Sequence, residues 1–271
     1  MSGCGRKLGP YVASYGGGVN STAMLIGMCQ RGDPVDLILF ADPGNEKPET
    51  YAFIQKFGAW LNAQRMPRII TVRKTTKRPG RVFRAGETLT LERYCLGMGT
   101  IPSVAYGFKT CSLKFKREPQ EEFIGKWGPA RRAWESGQLV SKMIGFDADE
   151  QHRGQPYSDD KYINQYPLIE WGWGRDECRS AIRSVGLCIP PKSSCFFCPN
   201  MKSREIFELR DHHPELLSRA LNLEASANYT GASIRGLARD VKWAEILDRD
   251  ARQLDLLDVK EPSVPCECYD G

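Results

Sequence analysis

Tyr11-Val12-Ala13-Ser14-Tyr15-Gly16-Gly17-Gly18-Val19-Asn20-Ser21-Thr22 is the stretch that decides the fold. A short strand-like run enters three glycines, and the glycines open a helix. From Asn20 to about Arg31, residues Ala23, Met24, Leu25, Ile26 and Met28 read as that helix, capped by Asn20 or Ser21. A strand–glycine–helix turn brings backbone amides and a helix N-terminus to one point, which makes an anion site. Glycine lets the backbone approach phosphate oxygens closely, and Ser14, Ser21 and Thr22 are expected to add hydroxyl donors. The pattern is neither G-x-G-x-x-G nor G-x-x-x-x-G-K-[ST], since no lysine occurs between Lys7 and Lys47. A phosphate held here is therefore a group to be released rather than one drawn forward by a lysine.

Working outward, Val35–Ala41 is a nearly continuous apolar run of central-strand length. A helix over Pro48–Gln64 and a strand over Arg68–Val72 follow. Strand–helix–strand–helix–strand predicts a parallel sheet with helices on both faces, a Rossmann-like α/β fold. Leu139–Gly145 and Tyr166–Ile169 supply a fourth and a fifth strand, and Arg175–Val185 a further helix. Residues 74–110, rich in Lys, Arg, Gly and Thr, read as a basic insertion. After it a helix spans about Ser112 to Trp127. The expected division is a nucleotide-binding domain over 1–189 and a mostly helical region over 190–271.

The chain has 271 residues, enough for a sizeable core without staples, and its net charge is +5. That charge suits anionic substrates but is far from a dedicated DNA-binding composition. No apolar signal core opens the sequence and no run reaches transmembrane length, so a cytoplasmic chain with no membrane association is expected. In a reducing compartment ten cysteines call for an explanation other than disulfides.

Gly16–Thr22 resembles the S-G-G-x-D-S pyrophosphate loop of the PP-loop ATP pyrophosphatases, in the adenine nucleotide α-hydrolase-like superfamily. Gly16 stands where that family has serine, and Asn20 where it has aspartate. Asp42-Pro43-Gly44-Asn45-Glu46-Lys47-Pro48-Glu49-Thr50 is similar to the D-T-G-x-x-x-P-E-T segment of its phosphoadenosine phosphosulfate (PAPS) reductase branch. Lys109–Pro119 resembles that branch's cysteine- and lysine-containing motif. Gly145–Arg153 resembles its G-I-R-x-x-E-S-x-x-R motif, with Asp147 in place of arginine. The resemblance covers roughly residues 10–210 and implies ATP or another adenine nucleotide, with Mg²⁺. It assigns nucleotide binding to Ser14, Gly16, Gly17, Gly18, Asn20, Ser21, Thr22, Asp42 and Glu49. Catalytic roles fall to Asp42, Lys114, Arg153 and Cys268.

Cys195-Phe196-Phe197-Cys198 is a C-x-x-C, to which Cys95 and Cys111 add two thiols from the insertion and the following helix. Four thiolates suit a [4Fe–4S] cluster or, as the alternative, Zn²⁺. Cys178 and Cys188 flank a helix and are expected to pack. Trp171 and Trp173 either stack on a base or close the core, and His212-His213 reads as a solvated turn. In the tail, Glu267-Cys268 is a fragment of the E-C-G-x-H segment of PAPS reductases, without its glycine and histidine.

The expected function is adenylation of an acceptor with sulfur transfer to it. Through the resemblance the acceptor would be nucleic acid, as in DNA phosphorothioation or tRNA thiolation, with a sulfur-donor protein as partner. The alternatives are a sulfonucleotide reductase using Cys268, and a nucleotide sensor without catalysis.

Overall fold

The computed structural model describes residues 8–102, 110–228 and 235–251. Five parallel strands form the sheet: β1 (Leu8–Tyr15), β2 (Leu37–Ala41), β3 (Ile69–Val72), β6 (Leu139–Ile144) and β7 (Tyr162–Gln165), in the order β3-β2-β1-β6-β7. The insertion between β3 and β6 carries a two-residue ribbon, β4 (Lys74–Thr75) with β5 (Thr88–Leu89). The strand order reverses between β1 and β6. The carboxyl ends of strands at such a reversal are where open α/β sheets receive ligands.

Alternation along β2 assigns the two faces. Ile38 and Phe40 meet α1 (Val19–Arg31), α2 (Pro48–Ala63) and α8 (Arg175–Ser184), through Met24, Phe53, Phe57, Leu61 and Ile182. Leu37, Leu39 and Ala41 meet Ile124 and Ala130, on α5 (Glu118–Lys126) and α6 (Gly128–Glu135). The fold class expected from the sequence is the one observed, a Rossmann-like parallel sheet with helices on both faces.

Three local expectations are corrected. The fifth strand is Tyr162–Gln165, and Pro167–Glu170 is a short helix, α7. Pro167 occupies its first turn, where the missing N–H costs nothing and the fixed φ suits a helix. The helix expected over Ser112–Trp127 begins at Thr110 (α4, Thr110–Ser112), passes through a π turn at Leu113–Arg117, and continues as α5. The basic insertion is ordered over much of its length, with α3 (Leu91–Met98) capped by the Thr90 hydroxyl.

A second apolar core joins the insertion to the C-terminal helices. Leu89, Leu91 and Phe115 pack with Phe196 and Phe197 and with Ile206, Leu217, Leu223 and Trp243, the last four from α9 (Ser203–His212), α10 (Pro214–Ser226) and α11 (Trp243–Ala251). This core draws on residues from both sides of the expected division at 190. No helix among the described residues is long and apolar enough to cross a membrane.

Candidate functional site

The glycine loop sits at the carboxyl end of β1, at the reversal of strand order. Gly17 has φ +78°, a conformation that favours glycine, and an added Cβ would stand 3.2 Å from Ile54 Cδ1, which would have to give way by a few tenths of an ångström. Gly18 is the N-cap of α1 and has no side-chain cap, contrary to the expectation for Asn20 or Ser21. Thr22 N donates to Gly18 O at 3.2 Å, so the amides before Thr22 lie ahead of the first intrahelical bond and face the loop.

The loop hydroxyls are used otherwise than expected. Ser14 Oγ donates to Gln120 Oε1 at 2.7 Å, and Thr22 Oγ1 to Gly18 O at 2.7 Å. Ser21 Oγ accepts from Gly16 N at 3.2 Å. These bonds shape the turn; they occupy the Gly16 amide and leave the amides from Gly17 to Ser21 to meet a ligand.

Asn20, 3% exposed, reaches across the loop. Its Nδ2 donates to Asp147 Oδ2 (2.9 Å) and Glu150 Oε2 (3.3 Å), while Arg175 Nη1 donates to its Oδ1 (2.8 Å). Arg153 pairs with Glu150 at 2.5 Å and stacks over Phe146, 4.3 Å from the ring centre. Asn20, at the aspartate position of the S-G-G-x-D-S pattern, and Asp147, at the arginine position of the G-I-R-x-x-E-S-x-x-R pattern, are thus bonded to each other. Arg175 and Arg179, one turn apart on α8, and Lys192 line a cleft of about 370 Å³ with Gly18–Ser21. Sequence reading missed these three cations: two arginines on a helix and a lysine after Pro190-Pro191 match no motif that carries chemistry.

Asp42 is buried and fully engaged. Its Oδ2 accepts from Arg73 Nη2 (2.7 Å), and its Oδ1 from Gly44 N (2.7 Å) and the Tyr51 hydroxyl (2.8 Å). Burial, and then the hydrogen bond to Asp42, push the Tyr51 phenol far above its ordinary range. Asp42 therefore pins the turn after β2. Glu49 lies outside the loop cleft. It meets His213 Nε2 at 2.5 Å, in a separate cleft of about 210 Å³ with Lys47 and His212. Partial burial opposes its ionisation, but its own backbone amide and His213 outweigh that and hold the carboxyl low. The solvated-turn reading of His213 is corrected accordingly.

Lys114 Nζ donates to the Tyr94 hydroxyl at 2.9 Å, over the same ring. Lys116 instead lies 3.7 Å from the buried Glu46. Glu46 also accepts from Ser193 Oγ at 3.3 Å, and Ser193 bonds Gly16 O at 2.5 Å. The segment leading to the C-x-x-C is stitched to the glycine loop in this way, and Phe196 N to Asn45 O (2.9 Å) completes the seam.

Cys111, Cys195 and Cys198 share the mostly apolar wall of a cavity of about 40 Å³. Cys95 lies in the same core, close enough to Cys111 to feel its charge; burial first, and Cys111 second, push its thiol up to about 12. Among the described residues no three His, Cys, Asp or Glu side chains stand close enough together to hold a metal ion. The four thiols are neighbours rather than an assembled tetrad. Cys198 lines both this cavity and the loop cleft.

Cys178 is fully buried as expected, whereas Cys188 is exposed, a correction. Trp171 packs on α1, where a Cβ at Gly27 would come within 2.4 Å of its ring. Cys268 lies outside the described residues. Comparison of the sequence with protein-family models and with curated proteins finds no match.

Proposed function

We propose that the chain is an ATP pyrophosphatase-type enzyme that adenylates an acceptor oxygen, releasing pyrophosphate, so that sulfide-level sulfur from a sulfur-donor protein displaces that oxygen, which leaves as AMP. The observation that carries this reading is Cys198, which lines both the cleft at the glycine loop and the thiol cavity. In the cleft the amides of the Gly17–Ser21 turn would hold the departing pyrophosphate. Arg175, Arg179 and Lys192 would balance its charge, the electrostatic part of such catalysis. Glu150, the carboxylate that lines the cleft, would hold Mg²⁺, which supplies charge neutralisation on the phosphates.

The cavity beside it offers thiols, apolar walls and no lining carboxylate, a donor set suited to soft metals. Cys95, Cys111, Cys195 and Cys198 would hold a [4Fe–4S] cluster or Zn²⁺, which supplies a thiophilic centre for sulfur.

The test is release of pyrophosphate and AMP from ATP, with iron, zinc and sulfide measured on protein purified without oxygen. Gly17→Val should abolish pyrophosphate release. Sulfite release from a sulfonucleotide, without pyrophosphate from ATP, would replace this reading by a reductase. Nucleotide binding with neither product would leave a sensor. Protein lacking iron, zinc and sulfide would remove the metal-assisted part.

A further inference from the structure

The loop between β4 and β5 carries cations that the site does not use. From Lys77 to Gly86 the sequence holds Lys77, Arg78, Arg81 and Arg84, and no carboxylate. The loop is folded: Gly86 N donates to Thr76 O at 2.8 Å, and Gly80 N to Phe83 O at 3.0 Å. It rests on α3, where a Cβ at Gly97 would meet Val82 at 2.7 Å and the Phe83 ring at 2.9 Å. Arg93 stacks over Phe83, 5.1 Å from the ring centre, and pairs with Glu87 at 3.4 Å.

Basic residues at the root are committed to structure. Arg73 pairs with Asp42, Lys74 with Glu118 and Lys77 with Glu122. At the tip, Arg78, Arg81 and Arg84 are exposed, and none is in an ion pair among the described residues. Val82, Leu96 and Met98, 41%, 46% and 49% exposed, add apolar surface on the same hairpin and helix. The root is attached to the site, since Leu91 N donates to Pro43 O at 2.9 Å and both residues line the thiol cavity.

We propose that this arginine tip binds the phosphodiester backbone of a nucleic acid and holds it beside the thiol cavity. That the bound strand is also the sulfur acceptor rests on the function proposed above; the binding itself does not. Guanidinium forks match phosphate oxygens two at a time, and three of them in one fixed loop fit a chain with a charge at every nucleotide. An acidic protein surface is the competing occupant. It is less well matched, because the tip from Lys77 to Gly86 has no hydroxyl or amide side chain to hydrogen-bond the mixed groups of a folded surface.

The experiment is fluorescence anisotropy of the full chain, without ATP, against labelled single-stranded and duplex 30-mers from 50 to 300 mM salt. The triple variant Arg78→Gln/Arg81→Gln/Arg84→Gln and the single variant Arg81→Gln are compared with the parent. Each lost phosphate contact should lower the log–log salt slope by about 0.7–0.9. The triple variant should therefore lose about two to three units of slope and at least tenfold in affinity; Arg81→Gln should lose about one unit. Absence of binding at 50 mM salt, or an unchanged slope in both variants, would overturn the proposal. So would equal, arginine-dependent binding of poly-glutamate. Pyrophosphate release is read on the same proteins: arginine-dependent binding in a chain that releases none would leave this proposal standing and sink the adenylation reading.

Discussion

At position 145 a single methyl group is enough to disturb the glycine loop. A Cβ there would lie 2.9 Å from both the Cα and N of Ser21 and 3.1 Å from the carbonyl carbon of Asn20, all backbone atoms that cannot swing aside. Either the end of β6 or the first turn of α1 must shift. On the proposed function, Gly145→Ala is expected to weaken ATP binding tenfold or more by calorimetry, at an overpacking cost of about 1–3 kcal/mol in stability. Unchanged affinity would show that the turn tolerates movement. The need for glycine here was not legible in the sequence, because it arises between two segments more than a hundred residues apart. For the same reason Asn20 read as a helix cap: only the fold brings Asp147, Glu150 and Arg175 around it. Gly17, whose demand is local, was legible from its place between strand and helix.

At the scale of elements, the strands that read correctly are continuous apolar runs, since a central parallel strand is buried on both faces. β6 departs from that rule with Lys142, which is 3% exposed. Its ammonium lies 3.4 Å from Glu121 on α5 and 4.9 Å from the centre of the Tyr162 ring. Burial lowers its pKa from the ordinary lysine value, and Glu121 only partly restores it. Between that lowered pKa and about 10.5, the unfolded chain binds more protons than the native one, so stability rises with pH across this window. Lys142→Met keeps the volume and removes the desolvated charge, while Glu121 stays partly hydrated. The variant should be as stable as the parent at pH 7, or more stable by about 1 kcal/mol, in urea unfolding. It should also lose the rise in stability toward alkaline pH. A loss of 3 kcal/mol or more at pH 7 would show instead that the Lys142–Glu121 pair holds α5 to the sheet. The β7 misreading has a simpler origin: Tyr166–Ile169 is apolar enough for a strand, but Pro167 turns it into a helix start.

For the molecule as a whole, the telling feature is that the thiols belong to the second core and the glycine loop to the first. The sequence could show neither that grouping nor its seam, because the core is assembled from segments around 90, 115 and 195–246 that have no shared pattern. The seam runs through Asn45, Glu46 and Ser193. If Cys95, Cys111, Cys195 and Cys198 hold a metal, its binding free energy is added mainly to the second core. At a metal concentration 100 times Kd, linkage gives about 2.7 kcal/mol. Chelation should then speed hydrogen exchange at the amides of α3, α9 and α10, and leave those of β1, β2 and β6 protected. Saturating ATP should do the converse, slowing exchange across α1 and the end of β6. A chelator that loosens both cores equally would mean that the seam transmits the loss, and Ser193→Ala, which deletes the bond to Gly16, should then uncouple them. A chelator without effect on either core would argue that the thiols act without a metal.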